Sequence, residues 1–165
     1  MDGKKTLQIT EQDRQLIGMA CELASQNMEK GGGPFGAVIA RNGELISTGC
    51  NTVALTNDPT AHAEVNAIRN ACAMEKNSKL EGCAVYCSCE PCPMCLSALY
   101  LAGVERIYYA NTRNDARDCN ADTDLILSEI ARPETERPVP SIHIPYPHAI
   151  DHLRKWTGKF NKNAH

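Results

Sequence analysis

The sequence has no excess of positive charge, no long apolar run and no leader-like start, and each absence removes a class of function. The formal net charge is −3, from 17 Lys and Arg against 20 Asp and Glu. A duplex nucleic-acid binder needs a basic surface to match phosphates, so nucleic acid is not the expected partner. No stretch approaches the roughly 18 apolar residues of a membrane span. The opening MDGKKTLQIT lacks an apolar h-region and a small-residue cleavage site, so a secretory signal is not expected. Internal repeats and low-complexity segments are missing too. The cysteines cannot close into a full disulfide framework, because there are nine of them. What remains is 165 residues, 42% hydrophobic and 22% charged. That composition reads as one globular domain with a sizeable core, expected in the reducing cytosol where free thiols persist.

The pattern along the chain alternates helix and strand. Thr10 followed three residues later by Asp13 resembles a capping box, and Leu16, Ile17, Ala20, Leu23 and Ala24 follow at helical spacing. A helix is predicted over 11–28, ended by Gly31-Gly32-Gly33-Pro34. Strands are predicted over 35–40 and 44–50, joined at Asn42-Gly43, a turn pair that tolerates positive φ. A polar loop over 51–61 precedes a helix over 62–74. A strand over 83–87 leads through Ser88-Cys89-Glu90-Pro91-Cys92 into a helix over 93–102, with Pro93 suited to its first turn. A strand over 104–110, a polar stretch over 111–123 and a helix over 124–131 follow. Residues 132–165 form a Pro-rich C-terminal segment with a short helix near 148–156. The order predicts one α/β domain, a central sheet with helices on both faces.

Chemistry concentrates in two short segments, His62-Ala63-Glu64 and Pro91-Cys92-Pro93-Met94-Cys95. Both fall at predicted helix starts, where the dipole favours thiolate. Cys92 and Cys95 stand one helical turn apart. With His62 they make a ligand set of two thiolates and one imidazole, which leaves the fourth position of a tetrahedral zinc for water. Iron–sulfur is disfavoured by the histidine and by the spacing. A four-thiol set of Cys87, Cys89, Cys92 and Cys95 is the alternative, and it leaves His62-Ala63-Glu64 without a role. In the first reading Cys87 and Cys89 serve packing, as do the scattered Cys21, Cys50, Cys72, Cys83 and Cys119. Glu64, two residues beyond His62, is then placed to move protons beside an activated water. HxE at one helix start and PCxxC at another is a signature of zinc deaminases.

The sequence resembles the cytidine-deaminase-like zinc deaminases. The resemblance is carried by His62-Ala63-Glu64 and Pro91-Cys92-Pro93-Met94-Cys95, and by the flanking stretches 32–39, 49–51, 57–69 and 88–95. Those flanks look most like the short bacterial type of guanine deaminase. The resemblance implies a three-layer α/β/α fold with a mixed five-stranded sheet. It implies zinc on His62, Cys92 and Cys95, and Glu64 as proton shuttle. It also implies substrate contacts from Asn51, the Ala63 backbone N–H, Phe35 and Asp122. It implies hydrolysis of a purine amine, guanine to xanthine, with Glu64 carrying a proton to N3 and then to the departing ammonia. Homodimers are implied as well, with the C-terminal segment covering the partner's site. One departure stands out: the family's Phe-Asp-Asp run is Ala121-Asp122-Thr123 here. A hydroxyl replaces the second carboxylate, and Asp124 stands next to it. Asp122 and Asp124 are equally suited to capping the helix that follows.

Deamination of adenosine in tRNA shares the two motifs, and Arg154, Lys155, Lys159 and Lys162 lend the tail positive charge. Another free nucleobase or nucleoside is a further alternative. A non-catalytic zinc-stabilised binding module is the reading from a different class. It predicts that removing the metal unfolds the chain while Glu64→Gln changes nothing.

Overall fold

The computed structural model describes residues 8–121 and 123–159. They form two compact units that divide after Thr123. The first unit opens with helix α1, Glu11–Glu29. Its capping box is formed: the Asp13 N–H donates to Thr10 Oγ1 at 3.1 Å, and the Thr10 N–H donates to Asp13 Oδ2 at 2.7 Å. Such a cap holds a helix start by about 1 kcal/mol. Strands β1, Gly36–Arg41, and β2, Glu44–Cys50, follow as a hairpin. Asn42 and Gly43 both adopt positive φ at its turn.

Then come the single turn α2, Val53–Thr56, and helix α3, Ala63–Glu75. Strand β3, Cys83–Cys89, leads to α4, Pro93–Ala102. Strand β4, Arg106–Asn111, and a short α5, Arg113–Asp118, complete this unit. The sheet order is β2-β1-β3-β4. β1 pairs antiparallel with β2 and β3, while β3 and β4 run parallel, so the sheet is mixed as expected. Among the described residues it has four strands, not five. Beyond β4 the chain turns helical, and prolines at 133, 138, 140, 145 and 147 cannot donate to a ladder.

The period-two alternation of β1 and β3 separates the two helical layers. Ala37, Ile39, Cys83, Val85 and Cys87 face one way, onto Ala63, Ala67 and Ala71 of α3 and Leu99 of α4. Val38, Ala40 and Tyr86 face the other way, onto Leu16 and Ala20 of α1. On this second face the Tyr86 ring stacks on Tyr108, and its hydroxyl donates to Asp13 at 2.6 Å. Burial works against the Asp13 carboxylate, yet bonds from Tyr86 and Thr10 hold it below the usual range.

The α3 face is made of alanines for a reason. A Cβ on Gly49 of β2 would lie 2.2 Å from the Ala63 carbonyl oxygen and 2.4 Å from the Ala67 nitrogen. The Ser47 hydroxyl donates to the Ala67 carbonyl at 2.8 Å, and the Asn70 amide to the Thr48 carbonyl at 2.8 Å. Helix and strand are therefore in backbone contact, and only small residues fit between them.

The long helices lie within about two residues of their predicted bounds, normal for such boundaries. Two short helices were not expected. α2 interrupts the predicted polar loop, and it stops at Asn57, whose φ is 54°. α5 lies in the stretch read only as polar. Its own capping box, Thr112 with Asp115, marks its start.

The second unit holds α6, Asp124–Ala131, a 3₁₀ turn at Glu134–Glu136, and α7, Asp151–Lys159. The last helix begins three residues later than predicted because His148 has a left-handed φ of 62°. No helix among the described residues is long and apolar enough to cross a membrane.

Because no methyl group fits at position 49, Gly49→Ala should destabilise the fold by about 1–3 kcal/mol, the range for overpacking, as read by urea denaturation.

Candidate metal centre and adjoining cavity

Two helix starts meet at the carboxyl end of the parallel strand pair. His62 is the N-cap residue of α3 and Cys92 that of α4; both are extended, with φ of −72° and −66°. An N-cap side chain ordinarily accepts from its own helix. Neither of these does so, which frees both for a ligand. Cys95 sits within the first turn of α4 and is fully buried.

The loop before α3 is itself braced. The Asp58 carboxylate accepts from the Thr60 N–H at 2.8 Å and its hydroxyl at 2.7 Å, and the Thr52 N–H donates to the Ala61 carbonyl at 2.9 Å. Across the sheet, Glu90 N–H donates to the Asn111 carbonyl at 2.8 Å, which fixes the loop leading to Cys92.

His62 Nδ1 lies 3.6 Å from Cys92 Sγ and 3.5 Å from Cys95 Sγ. A tetrahedral zinc with N at about 2.0 Å and S at about 2.3 Å separates those atoms by about 3.5 Å. The donor set and its spacing fit zinc. Among the described residues this trio is the group whose ligand atoms lie together, within 4.8 Å of one another. Cys87 and Cys89 are not part of it, so the four-thiol alternative falls.

The electrostatics follow the same contacts. The Cys92 thiol is pulled down to about 4, chiefly by the hydrogen bond from Cys95, against its burial and with help from His62. Cys95, the donor in that bond, is pushed up for the same reason and by burial. His62 is raised by its bond to Cys92. Glu64 is 8% exposed, and burial pushes its carboxyl above the usual range.

A cavity of about 370 Å³ opens over these groups. Phe35, Asn51, His62, Glu64 and Cys92 line it, bringing together most of the residues singled out in the sequence. Asn51 is buried; its Oδ1 accepts from the Val53 N–H at 3.2 Å. Ala63 is the first residue of α3, with its methyl in the core beneath the helix. Asp122 lies outside the described residues, while its neighbour Thr123 lines the cavity.

Sequence reasoning missed the opposite wall. Glu90 and Arg113 line it, joined at 2.9 Å between Arg113 Nη2 and Glu90 Oε1. Glu90 Oε2 also accepts from the Arg113 N–H at 3.0 Å, so one carboxylate anchors the start of α5 to the metal loop. The Thr112–Asp115 capping pattern was the available signal for this wall. Cys89, expected only to pack, ends β3 and lines the cavity, its thiol donating to the Thr112 carbonyl at 3.7 Å.

Residues 10–111 match the family described as cytidine and deoxycytidylate deaminase zinc-binding region. The chain is 40% identical over 152 residues to the guanine deaminase of Bacillus subtilis, covering 92% of this chain and 96% of that one. The crystal structure of that enzyme superposes with a TM-score of 0.86 over 91% of this chain and 96% of the other. A tRNA-specific adenosine deaminase of Aquifex aeolicus is 44% identical over 95 residues, 58% of this chain and 63% of its own.

Zinc requires His62 neutral and both thiols deprotonated. A raised His62 keeps its proton to higher pH, so apparent zinc affinity should fall as pH drops through that value and recover above it. Proton release per zinc, read by calorimetry in buffers of different ionisation heat, should be larger at about pH 6 than at about pH 8. Cys92→Ala should leave zinc unbound in metal analysis. With the zinc-binding region matched across more than half of its length, the chain belongs to the cytidine and deoxycytidylate deaminase family of zinc enzymes.

Proposed function

We propose that this chain hydrolyses guanine to xanthine and ammonia. The reading rests on one observation above all: the buried Glu64 carboxyl lines one cavity with His62 and Cys92, two members of the His62, Cys92 and Cys95 cluster. The chain-length similarity to an enzyme named guanine deaminase supports the choice of base.

The reaction forms a C2–O bond and breaks the exocyclic C2–N bond, with water as the second reactant. His62, Cys92 and Cys95 would hold zinc, which would acidify the attacking water toward neutral pH. Glu64 accepts the proton that this water loses and passes it to the ring at N3. It then takes the proton of the new C2 hydroxyl and gives it to the departing amine, so that ammonia leaves and the C2 carbonyl of xanthine remains. Burial suits Glu64 to this shuttle, because a carboxyl raised toward neutrality takes and gives a proton at low cost. Asn51 offers its amide to the ring, Phe35 an apolar wall, and the Ala63 N–H a donor near the leaving group. Asp122 completes the proposed contact set. Thr123 on the cavity wall supports a site that meets the base with a hydroxyl rather than a second carboxylate.

The enzyme is further read as a cytosolic homodimer in which the C-terminal segment of one copy reaches the site of the other. Nine free cysteines support a reducing compartment. Tyr100 and Leu101, 75% and 65% exposed on α4, support burial against a second copy. A monomer mass in sedimentation equilibrium would remove the dimer from this reading.

Adenosine in tRNA is the second reading, supported by the 44% identity over 95 residues and opposed by the net charge of −3. Ammonia release from guanine, guanosine, adenine, cytosine, cytidine and a tRNA anticodon stem-loop separates the readings. Guanine alone should respond, and release from cytosine alone would overturn the purine assignment. Glu64→Gln should keep its zinc and lose at least about 10²-fold in kcat. Turnover at the wild-type rate would sink the mechanism and favour a non-catalytic zinc module.

A further inference from the structure

We infer that Asn27 is a positioning residue that sets the orientation of Asn51 in the cavity. The inference rests on the proposed role of Asn51 as a substrate contact.

Asn27 lies in the last turn of α1 and is 5% exposed. The other buried positions of that helix are Leu16, Ala20 and Ala24, so an apolar residue would satisfy packing here. An amide instead occupies the position, and both of its N–H groups are used. Nδ2 donates to the Gly33 carbonyl at 2.8 Å and to the Asn51 carbonyl at 2.7 Å. The main chain adds to the knot: the Gly32 N–H donates to the Asn27 carbonyl at 2.9 Å, and the Gly33 N–H to the Asn51 carbonyl at 3.1 Å.

Sterics close it from the other side. A Cβ on Gly32 would fall 2.3 Å from Asn27 Nδ2, and one on Gly33 would fall 2.8 Å from Asn51 Oδ1. Asn51 is thus held at both ends. Its carbonyl is held by Asn27 and its Oδ1 by the Val53 N–H, and the residue so fixed lines the cavity.

The knot is not what satisfies the backbone. Without Asn27 the Gly33 carbonyl still accepts from the Phe35 N–H at 2.8 Å, and the Asn51 carbonyl still accepts from the Gly33 N–H at 3.1 Å. No carbonyl is orphaned, so the cost falls on orientation more than on stability. A residue that only orients a binding group changes binding, and changes it through that group.

The test is a double-mutant cycle with guanine. Asn27→Leu should raise KM about fivefold, the weight of one hydrogen bond, with kcat within about twofold and zinc content unchanged. In an Asn51→Ala background the same substitution should leave KM unchanged. Should the Leu variant fail to fold, Asn27→Ser, which reaches neither carbonyl, takes its place in the cycle. An unchanged KM for the Asn27 variant, or a full additive effect on top of Asn51→Ala, would overturn the inference. If Asn51→Ala itself leaves KM unaltered, the substrate contact fails and the inference falls with it.

Discussion

Helix α3 rests on strand β2 backbone to backbone, with Gly49 against Ala63 and Ala67 and no space for a methyl group between them. The start of α3 is fixed by that contact, and the start of α3 carries both His62 and Glu64. A helix packed through larger side chains would sit farther out and have several ways to settle. This one is pinned in depth by sterics and along its axis by the Ser47 and Asn70 hydrogen bonds. The metal cluster inherits that precision. Its other half, Cys92 and Cys95, sits on α4, seated on the same face of the sheet through Leu99.

The second condition is electrical. Two helix starts converge, and neither N-cap side chain answers its own helix. The unanswered N–H dipoles favour negative charge at the meeting point. That field suits a thiolate at Cys92 and suits zinc thiolates when the metal binds. Glu64 stands in the same first turn of α3 but is buried, and burial opposes its charge. One field and one burial thus set the acidic groups of the site apart, thiols suited to a metal and a carboxyl whose burial favours its neutral form.

How much of this was legible in the sequence depends on how far each signal reaches along the chain. The capping box at Thr10, the Asn42-Gly43 turn and the His62-Ala63-Glu64 and Pro91–Cys95 segments are local patterns, and the structure has them as read. α2 and α5 span four and six residues, too few for periodicity to register. The fifth strand came from family likeness, and the described chain past β4 is helical or rich in proline. Glu90 and Arg113 meet across 23 residues, Asn27 and Asn51 across 24; pairs that distant leave no spacing rule to read. Gly49 looks like any strand glycine until α3 is laid against it.

The two sides of the cavity are held by different forces. The side bearing His62 and Glu64 is close-packed alanine and glycine, where nearly any change of volume is felt throughout. The side bearing Arg113 and Ala116 is a short helix tied by one carboxylate and one cap. Mutational tolerance is therefore lopsided around a single site. Substitution is costly beside His62 and Glu64 and cheap along α5. The α5 wall can change its side chains without disturbing the packing that sets His62 and Glu64.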